Sequence, residues 1–358
     1  MRAQVDEMNR ETLAKPVEAR PVGASVRLPT LSVVMPNYNH VMYLRKALEA
    51  HLAQSVPPLE ILVIDDGSTD ESCVVVEQLA AERPSLRLIR LERNSGVTPA
   101  MNLGLREARG DYVCFSAADD VVAADFAARS LEVLASHPTA GFCFSDVAVL
   151  IGDSGVVQHR PLFLSRRPCM LSPTDMKQFL ERACVHLPSH SILYRRQALL
   201  ELGGFIEDLK WIADWFVNYV LAFRHGACYV PQVLTYCRVS RDSYSARGSR
   251  EASVQRALVY RMLDLLKSDA FRDVAPAFRA AALLPHVRLQ VLTWLLGSVR
   301  HRGYLTPRLV RRLMFRGSWS TVRPHMPDWL GRAGGRVAKV FKRQRLTRLH
   351  ARLSSDRE

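Results

Sequence analysis

No apolar run in the sequence reaches the roughly 20 uninterrupted residues that a membrane-spanning helix requires. The most apolar late stretch, ALLPHVRLQVLTWLLGSV, is broken by Pro285, His286 and Arg288, so no transmembrane segment is expected. A basic start followed by an apolar core is missing at the N-terminus too. MRAQVDEMNRETLAKPVEARPVGASVRLP is polar and interrupted by Pro16, Pro21 and Gly23, which reads as a lead-in over residues 1–28 rather than a signal peptide. Cysteine is sparse and unordered: Cys73, Cys114, Cys143, Cys169, Cys184, Cys228 and Cys237 include no C-x-x-C pair. An odd, irregular set suits reduced thiols in a cytosol, each most simply a small core hydrophobe. There is no internal repeat and no low-complexity tract.

Acidic residues are also scarce in one region. Residues 29–245 hold 20 Lys and Arg against 24 Asp and Glu, whereas residues 246–358 hold 24 against 7. The net charge of +14 therefore belongs to the C-terminal third, which should seek a polyanionic surface. With 358 residues and 48% hydrophobic content, the chain can build one large α/β domain plus an appendage. Disorder is excluded as a global description.

LSVVMPNYN is an apolar, β-branched run closed by Pro36 and Asn37, and VMYLRKALEAHLAQS follows with apolar residues at helical spacing. LEILVIDDGSTDESCVVVEQLAAE repeats the pattern. LRLIRL leads through ERNSGVTPA to a helix over AMNLGLREA, and DYVCFSAADD supplies a fourth strand. Further on, GFCFSDVAVL reads as a strand before a GDSG turn, SPTDMKQFLERA as a helix, and SHSILYRRQALLELGGF as strand, helix and Gly-Gly turn. WIADWFVNYVLAFRHG is helical to Gly226, YVPQVLTYCRV is a strand, and the polar SRDSYSARGS ends the domain. Alternating strands and helices predict a mainly parallel, Rossmann-like α/β sheet with helices on both faces. Ligands of such sheets lie outside the carboxyl ends of the strands. Pro36, Asn37, Tyr38, Asp65, Asp66, Asp119 and Asp120 all fall at such ends.

In order and spacing, SVVMPNYN, ILVIDDGSTDES, NSGVTPAMNLGLREARGDYVCFSAADD, YRRQALLELGGF and ADW resemble the family 2 glycosyltransferases of GT-A fold over about residues 30–245. The resemblance implies a GT-A domain over 29–245, while charge and apolar spacing predict a basic, mainly helical region over 246–358. It implies an inverting transfer of one sugar from a nucleotide-sugar, with UDP as first choice, to a hydroxyl of a glycan or lipid-linked acceptor. The cofactor implied is a divalent metal, Mg²⁺ or Mn²⁺, that offsets charge on the leaving pyrophosphate.

By the same resemblance, Pro36, Asn37, Tyr38 and Asn39 frame the base, Asp65 supports the turn and Asp66 accepts a hydrogen bond from the base. Asp119 goes to ribose or metal and Asp120 to metal. Many relatives carry a further Asp where this chain has Ala117. Asp214, after the Gly203–Gly204 turn, is the general base; Trp211 and Trp215 flank it as a possible sugar wall. Arg238 reaches for the pyrophosphate, although the His that often follows two residues later is Ser240 here. Each residue also has a plain alternative: a packing ring for Tyr38, turn or helix caps for Asp65, Asp66, Asp119, Asp120 and Asp214, core packing for Trp211 and Trp215, and a surface position for Arg238.

A sugar nucleotidyltransferase would normally carry a Gly-rich basic phosphate loop near the first strand, which MPNYNH lacks. A non-catalytic nucleotide-sugar-binding relative would bind without turnover. Nucleic acid is not an expected partner, since the basic residues lie outside the motif-bearing region without interleaved aromatics. From Arg300 to Arg352 there are 15 Lys and Arg and one acid, Asp328, among apolar residues at roughly helical intervals. A cytoplasmic protein held peripherally on the anionic inner face of the plasma membrane is expected.

Overall fold

The run LSVVMPN forms strand β1 (Leu31–Asn37), buried along nearly its whole length because it has a hydrogen-bonded neighbour on each side. The computed structural model describes residues 27–151, 156–162, 164–182, 185–239, 244, 248, 250–285 and 290–316. After β1 come α1 (Val41–Leu52), β2 (Glu60–Asp65), α2 (Ser72–Glu82), β3 (Leu86–Arg90), α3 (Val97–Glu107) and β4 (Tyr112–Phe115). Val33 and Met35 of β1 join Ile61 and Val63 of β2 in a core with Leu44, Ala47 and Leu48 of α1. Val34, one residue out of phase, turns to the other face against Gly104 of α3. The alternation of a half-turn per residue thus buries both faces of one strand.

A two-residue strand, β5 (Val121–Val122), precedes α4 (Phe126–Ser136), β6 (Phe142–Ile151), β7 (Val156–Arg160), β8 (Cys169–Leu171) and α5 (Pro173–Arg182). Then follow β9 (Leu193–Arg195), α6 (Arg196–Glu201), α7 (Ala213–His225) and β10 (Ala227–Val239). The strand order is β3-β2-β1-β4-β9-β6-β10-β5, with β7 on β6 and β8 on β10.

The expected parallel arrangement holds in β3-β2-β1-β4 and in the β6–β10 pair. Antiparallel β9 is wedged between β4 and β6, and β5, β7 and β8 add antiparallel pairs. Only four residues separate β6 from β7, too few for the crossover that a parallel partner needs.

The amino ends of β1 and β2 are closed by a structural cluster. Buried Glu60 accepts from Ser32 Oγ (2.8 Å), Arg109 N (2.7 Å) and Arg109 Nε (3.0 Å). Charge at that end is spoken for, and the chemistry is left to the carboxyl ends.

The chain divides into two compact units, Met1–His286 and Val287–Glu358. Helices α8 (Ala252–Leu265) and α9 (Ala275–Ala280) belong to the first unit. Arg261 of α8 pairs with Asp208 at 2.9 Å, and Arg224 of α7 with Asp273 at 2.8 Å. Phe278 of α9 sits among Trp215, Phe216, Tyr219 and Phe223 of α7. Aromatic burial ties these helices to the sheet domain more strongly than the polar SRDSYSARGS stretch separates them.

The described part of the second unit holds α10 (Gln290–Leu296) and α11 (Pro307–Arg316). Among the described residues no helix is long and apolar enough to cross a membrane. The lead-in up to residue 26, the GDSG turn, most of SRDSYSARGS including Ser240, and the basic tail from residue 317 lie outside the described residues.

Candidate functional site

Strand β1 outruns its neighbour β4, and the site begins there. The last β4-side ladder bond runs from Ser116 N to Val34 O (3.0 Å). Pro36, two residues on, points the same way past the end of β4, where its missing N–H is not needed. Asn37 then turns its buried side chain to β2, donating to Asp65 Oδ2 (2.9 Å) and Ser68 Oγ (3.2 Å). Asn39, at φ 57°, accepts from Thr69 N at its side-chain oxygen (2.8 Å) and donates its backbone N–H to Ser68 Oγ (3.0 Å). Pro36, Asn37 and Asn39 therefore build the wall, and Tyr38 is left 42% exposed at its rim.

Asp65 accepts from Ser68 N (2.9 Å) as well as Asn37. Burial alone would raise its pKa, but these donors outweigh it and hold the carboxyl below its usual range. The expected turn-supporting position is where the residue sits. Asp66 is also heavily committed: Oδ1 accepts from Ser95 N (2.7 Å) and Ser95 Oγ (2.8 Å), and Oδ2 from Gly96 N (2.8 Å). A base N–H would have to share an oxygen that already fastens the 95–96 turn.

The carboxyl end of β4 delivers the second acidic pair. Ala118 is buried in the core, Ala117 is exposed, Asp119 is half-buried and Asp120 is buried. Strand β5 follows at once and clamps the pair on β10 through Val121↔Tyr236 and Val122↔Thr235. Asp120 Oδ1 accepts the backbone N–H of Arg238 at 2.8 Å. Burial pushes Asp120 up to about 7, with the Arg238 N–H pulling it down and the Asp119 charge pushing it up. The Arg238 guanidinium lies 4.5 Å above the Tyr43 ring of α1, so α1, β4 and β10 meet at this spot.

Two further side chains stand here that the sequence did not single out. His190, in the turn Ser189–Ser191 before β9, and Cys237 of β10 place ligand atoms within 4.8 Å of Asp120 and of one another. Burial, and then His186, lower His190 to about 4, so it is a neutral donor or acceptor at pH 7. The buried Nε2 of His190 has no hydrogen-bond partner among the described residues. Cys237 departs from the simple core role expected of the cysteines. Carboxylate, imidazole and thiol together fit a divalent cation by the chemistry of the donor set.

Asp214 occupies the first turn of α7, with its Oδ1 accepting Trp215 N at 2.7 Å. The helix starts sharply because Lys210 takes φ 48°, ψ −127° within the preceding turn, a backbone state found where surrounding structure enforces it. Tyr194 has its pKa raised by burial and next by the Asp214 charge. Tyr194 donates to Asn218 Oδ1 (2.6 Å), and Asn218 donates to Ser189 Oγ (2.9 Å). That chain connects the α7 start to the turn bearing His190.

Gly203 and Gly204 adopt φ 87° and 80°, and Asn102 of α3 grips the turn by accepting Phe205 N and donating to Phe205 O, both at 2.8 Å. They shape the backbone, with Asn102 as the unforeseen anchor. The Trp215 ring packs 4.7 Å from Tyr219 and 6.3 Å from Phe278 and stays half-buried. Trp211 packs edge-on to Tyr244 at 6.2 Å and against Gly248, and is likewise half-buried.

Beneath the site, buried His51 meets Ser116 Oγ at 2.9 Å. Burial lowers its pKa from 6.5 to about 4. Its contribution to stability is intact above 6.5 and is lost as pH falls through 6.5 toward 4, where the unfolded chain binds the proton first; the full loss is roughly 3 kcal/mol. In urea unfolding, His51→Gln should therefore lie further below wild type at pH 7 than at pH 4.5. An equal gap at both values would refute this source of acid sensitivity.

With this geometry in hand, likeness to known proteins is informative. The sequence pattern of "Glycosyl transferase family 2" matches residues 32–203. An uncharacterised glycosyltransferase of Nostoc sp. is 29% identical over 237 residues, covering 64% of this chain and 72% of its own. The structure of S. aureus TarS 1–349 in complex with UDP is similar at TM-score 0.53 and 20% identity, over 77% of this chain and 74% of that one. The mannosyltransferase PcManGT from Pyrobaculum calidifontis, in complex with GDP-Man and Mn²⁺, is similar at TM-score 0.55 and 18% identity, over 94% and 86%.

Proposed function

From a chain whose residues 32–203 belong to glycosyl transferase family 2 and whose sheet has the GT-A architecture, we propose a single inverting transfer of a sugar from a nucleotide-sugar. The donor is a UDP-sugar by first preference, in keeping with the UDP held by TarS; GDP-Man in the mannosyltransferase marks the alternative. The acceptor is a hydroxyl of a glycan or a lipid-linked glycan. The observation that carries this is the convergence of Asp66, Asp119, Asp120 and Arg238 at neighbouring strand ends, with Asp120 buried and fixed to β10.

In this account the exposed Tyr38 ring lies against the base, the ribose meets Asp119, and Arg238 approaches the pyrophosphate. Asp119 and Asp120 would hold a divalent cation, which when bound supplies charge neutralisation to the departing diphosphate. Asp214 accepts the proton of the acceptor hydroxyl. The acceptor oxygen forms a bond to the anomeric carbon from the face opposite the leaving group. The bond from that carbon to the phosphate oxygen breaks, and its electron pair leaves with the nucleoside diphosphate.

A panel of UDP-, GDP- and dTDP-sugars, with release of the free diphosphate as the readout, tests this most simply. One donor should stand out, in slow hydrolysis without acceptor and faster release with it. Tight binding throughout with no release would instead indicate a non-catalytic relative.

The second unit is proposed to meet an anionic membrane surface, where a lipid-linked acceptor would lie. Leu296 and Val299 are 63% and 77% exposed, and Arg302 and Arg311 of the same unit are exposed too. Because each such arginine contributes about 1 kcal/mol at an anionic surface, Arg302→Glu with Arg311→Glu should weaken vesicle binding by roughly thirtyfold or more. In flotation assays, wild type should rise with phosphatidylserine vesicles and release as salt increases; unchanged flotation of the double variant would contradict it.

A further inference from the structure

We propose that Asn102 is a positioning residue for the transfer step: by clasping Phe205 it sets where the turn leading to Asp214 stands. The inference deepens the glycosyltransferase reading and rests on Asp214 as the base.

Asn102 is a buried residue of α3. Its amide holds one residue from far along the chain by both backbone groups, Oδ1 accepting Phe205 N and Nδ2 donating to Phe205 O, each at 2.8 Å. The two partners fix the amide's orientation, since the N–H needs the oxygen and the carbonyl needs the nitrogen. Nδ2 also lies 3.5 Å from Glu207 Oε1, so the clasp reaches into the turn Glu207–Ile212.

Gly204 makes room for this clasp. A Cβ there would stand 2.6 Å from Asn102 Oδ1, and its φ of 80° already disfavours a side chain. Once drawn up to α3, Phe205 sets its buried ring edge-on to Phe115 (4.9 Å) and Tyr194 (5.9 Å). Tyr194 is the phenol whose pKa burial, and then the Asp214 charge, raise. Backbone and ring of Phe205 thus meet the surroundings of the base from two sides.

The helix carrying Asn102 is itself firmly seated. At its start Ser95 and Gly96 donate to Asp66, and further along a Cβ on Gly104 would stand 2.2 Å from Val34 Cγ1 of β1. Helix α3 is therefore a strut from the end of β2, where the nucleotide base is placed, to the turn before α7. Between Phe205 and Asp214 the chain passes through Lys210 at φ 48°, a state that persists only where its surroundings enforce it. Arg261 of α8 holds that turn through Asp208, and Asn102 holds it from α3. Without Asn102 the turn can relax, and a shift of about 1 Å at a catalytic group costs on the order of 10²-fold in rate.

Asn102→Ala and Asn102→Asp in the full-length protein test this. The first removes both bonds; the second keeps the size and the acceptor for Phe205 N–H but sets an oxygen against Phe205 O. The readout is diphosphate released from the donor that the panel selects, with water as the acceptor, because water too must give up a proton to the base. Each variant should lower kcat by about 10–100-fold. Calorimetry should show the diphosphate of the same donor bound at unchanged stoichiometry and near wild-type affinity, because the grip of Asp66 on Ser95 and Gly96 does not involve Asn102. Stoichiometry counts folded sites, so the rate loss per site is separated from loss of protein.

A double-variant cycle supplies the readout that a merely structural role would not move. In an Asp214→Asn background, Asn102→Ala should cost no more than about twofold further, since an absent base cannot be misplaced. Wild-type kcat per site in both Asn102 variants, or losses that multiply in the double variant, would overturn the proposal and leave Asp214 as the base. Failure of both Asn102 variants to fold would also overturn it; if only Asn102→Ala fails, Asn102→Asp carries the cycle. Near-normal release by Asp214→Asn alone would remove the base assignment, and this proposal with it.

Discussion

Asp214→Asn should lower turnover by about 10²–10⁴-fold, the usual loss when a positioned general base is removed, while nucleoside diphosphate affinity stays close to wild type. The substitution separates the proposed role of Asp214 as base from its structural one. Its Oδ1 accepts the Trp215 N–H at the start of α7, and an asparagine Oδ1 can accept the same bond. Helix-terminal stability should therefore fall by only about 0.3–1 kcal/mol, the charge–dipole contribution. A large rate loss in a folded, donor-binding variant isolates proton acceptance.

Asp208 is the next carboxylate in line, but Arg261 binds its Oδ2 through Nε (3.1 Å) and Nη2 (2.9 Å). It is engaged in an ion pair between the turn before α7 and α8. Near-normal transfer by Asp214→Asn, measured with the true acceptor, would place the base elsewhere.

Asp120→Asn should abolish the cation-linked part of nucleoside diphosphate binding. Asp120 is buried and gives Oδ1 to the Arg238 N–H, a bond asparagine again preserves, so the β4–β10 connection should survive. What disappears is a formal charge beside Asp119. In calorimetry, wild type should bind the diphosphate more tightly with the divalent ion than with chelator, and Asp120→Asn should bind equally weakly in both. A variant that keeps the full cation dependence would show that the ion is held by other groups.

Legibility of this site in the sequence followed from how local each feature is. Strands β1, β2 and β4 are continuous apolar runs ended by Pro36, Asp65 and Ser116, so both the strands and the acids at their ends could be read directly. The contribution of β5 could not, because two valines carry no periodicity; yet its pairing with β10 is what fixes Asp119 and Asp120. His190 and Asn102 were invisible for a related reason. Their partners are Asp120 and Phe205, far along the chain, and the links exist only after β9 is inserted antiparallel and the Gly203–Gly204 turn has folded over α3.

The tryptophans show a different limit. Trp211 and Trp215 lie four apart beside a catalytic candidate, which fits a sugar wall, but Trp215 also meets Phe278, which comes from the segment assigned at first to the C-terminal region, and Trp211 meets Tyr244. With α8 and α9 in the first unit, Phe278 packs against the half-buried Trp215.

The most direct measurement is the configuration at the anomeric carbon of the product, read by NMR from the coupling of its anomeric proton with the identified donor and acceptor. A single displacement assisted by Asp214 predicts inversion: an α-linked donor gives a β-linked sugar. Retention of the donor configuration would contradict the single-displacement mechanism and the role given to Asp214.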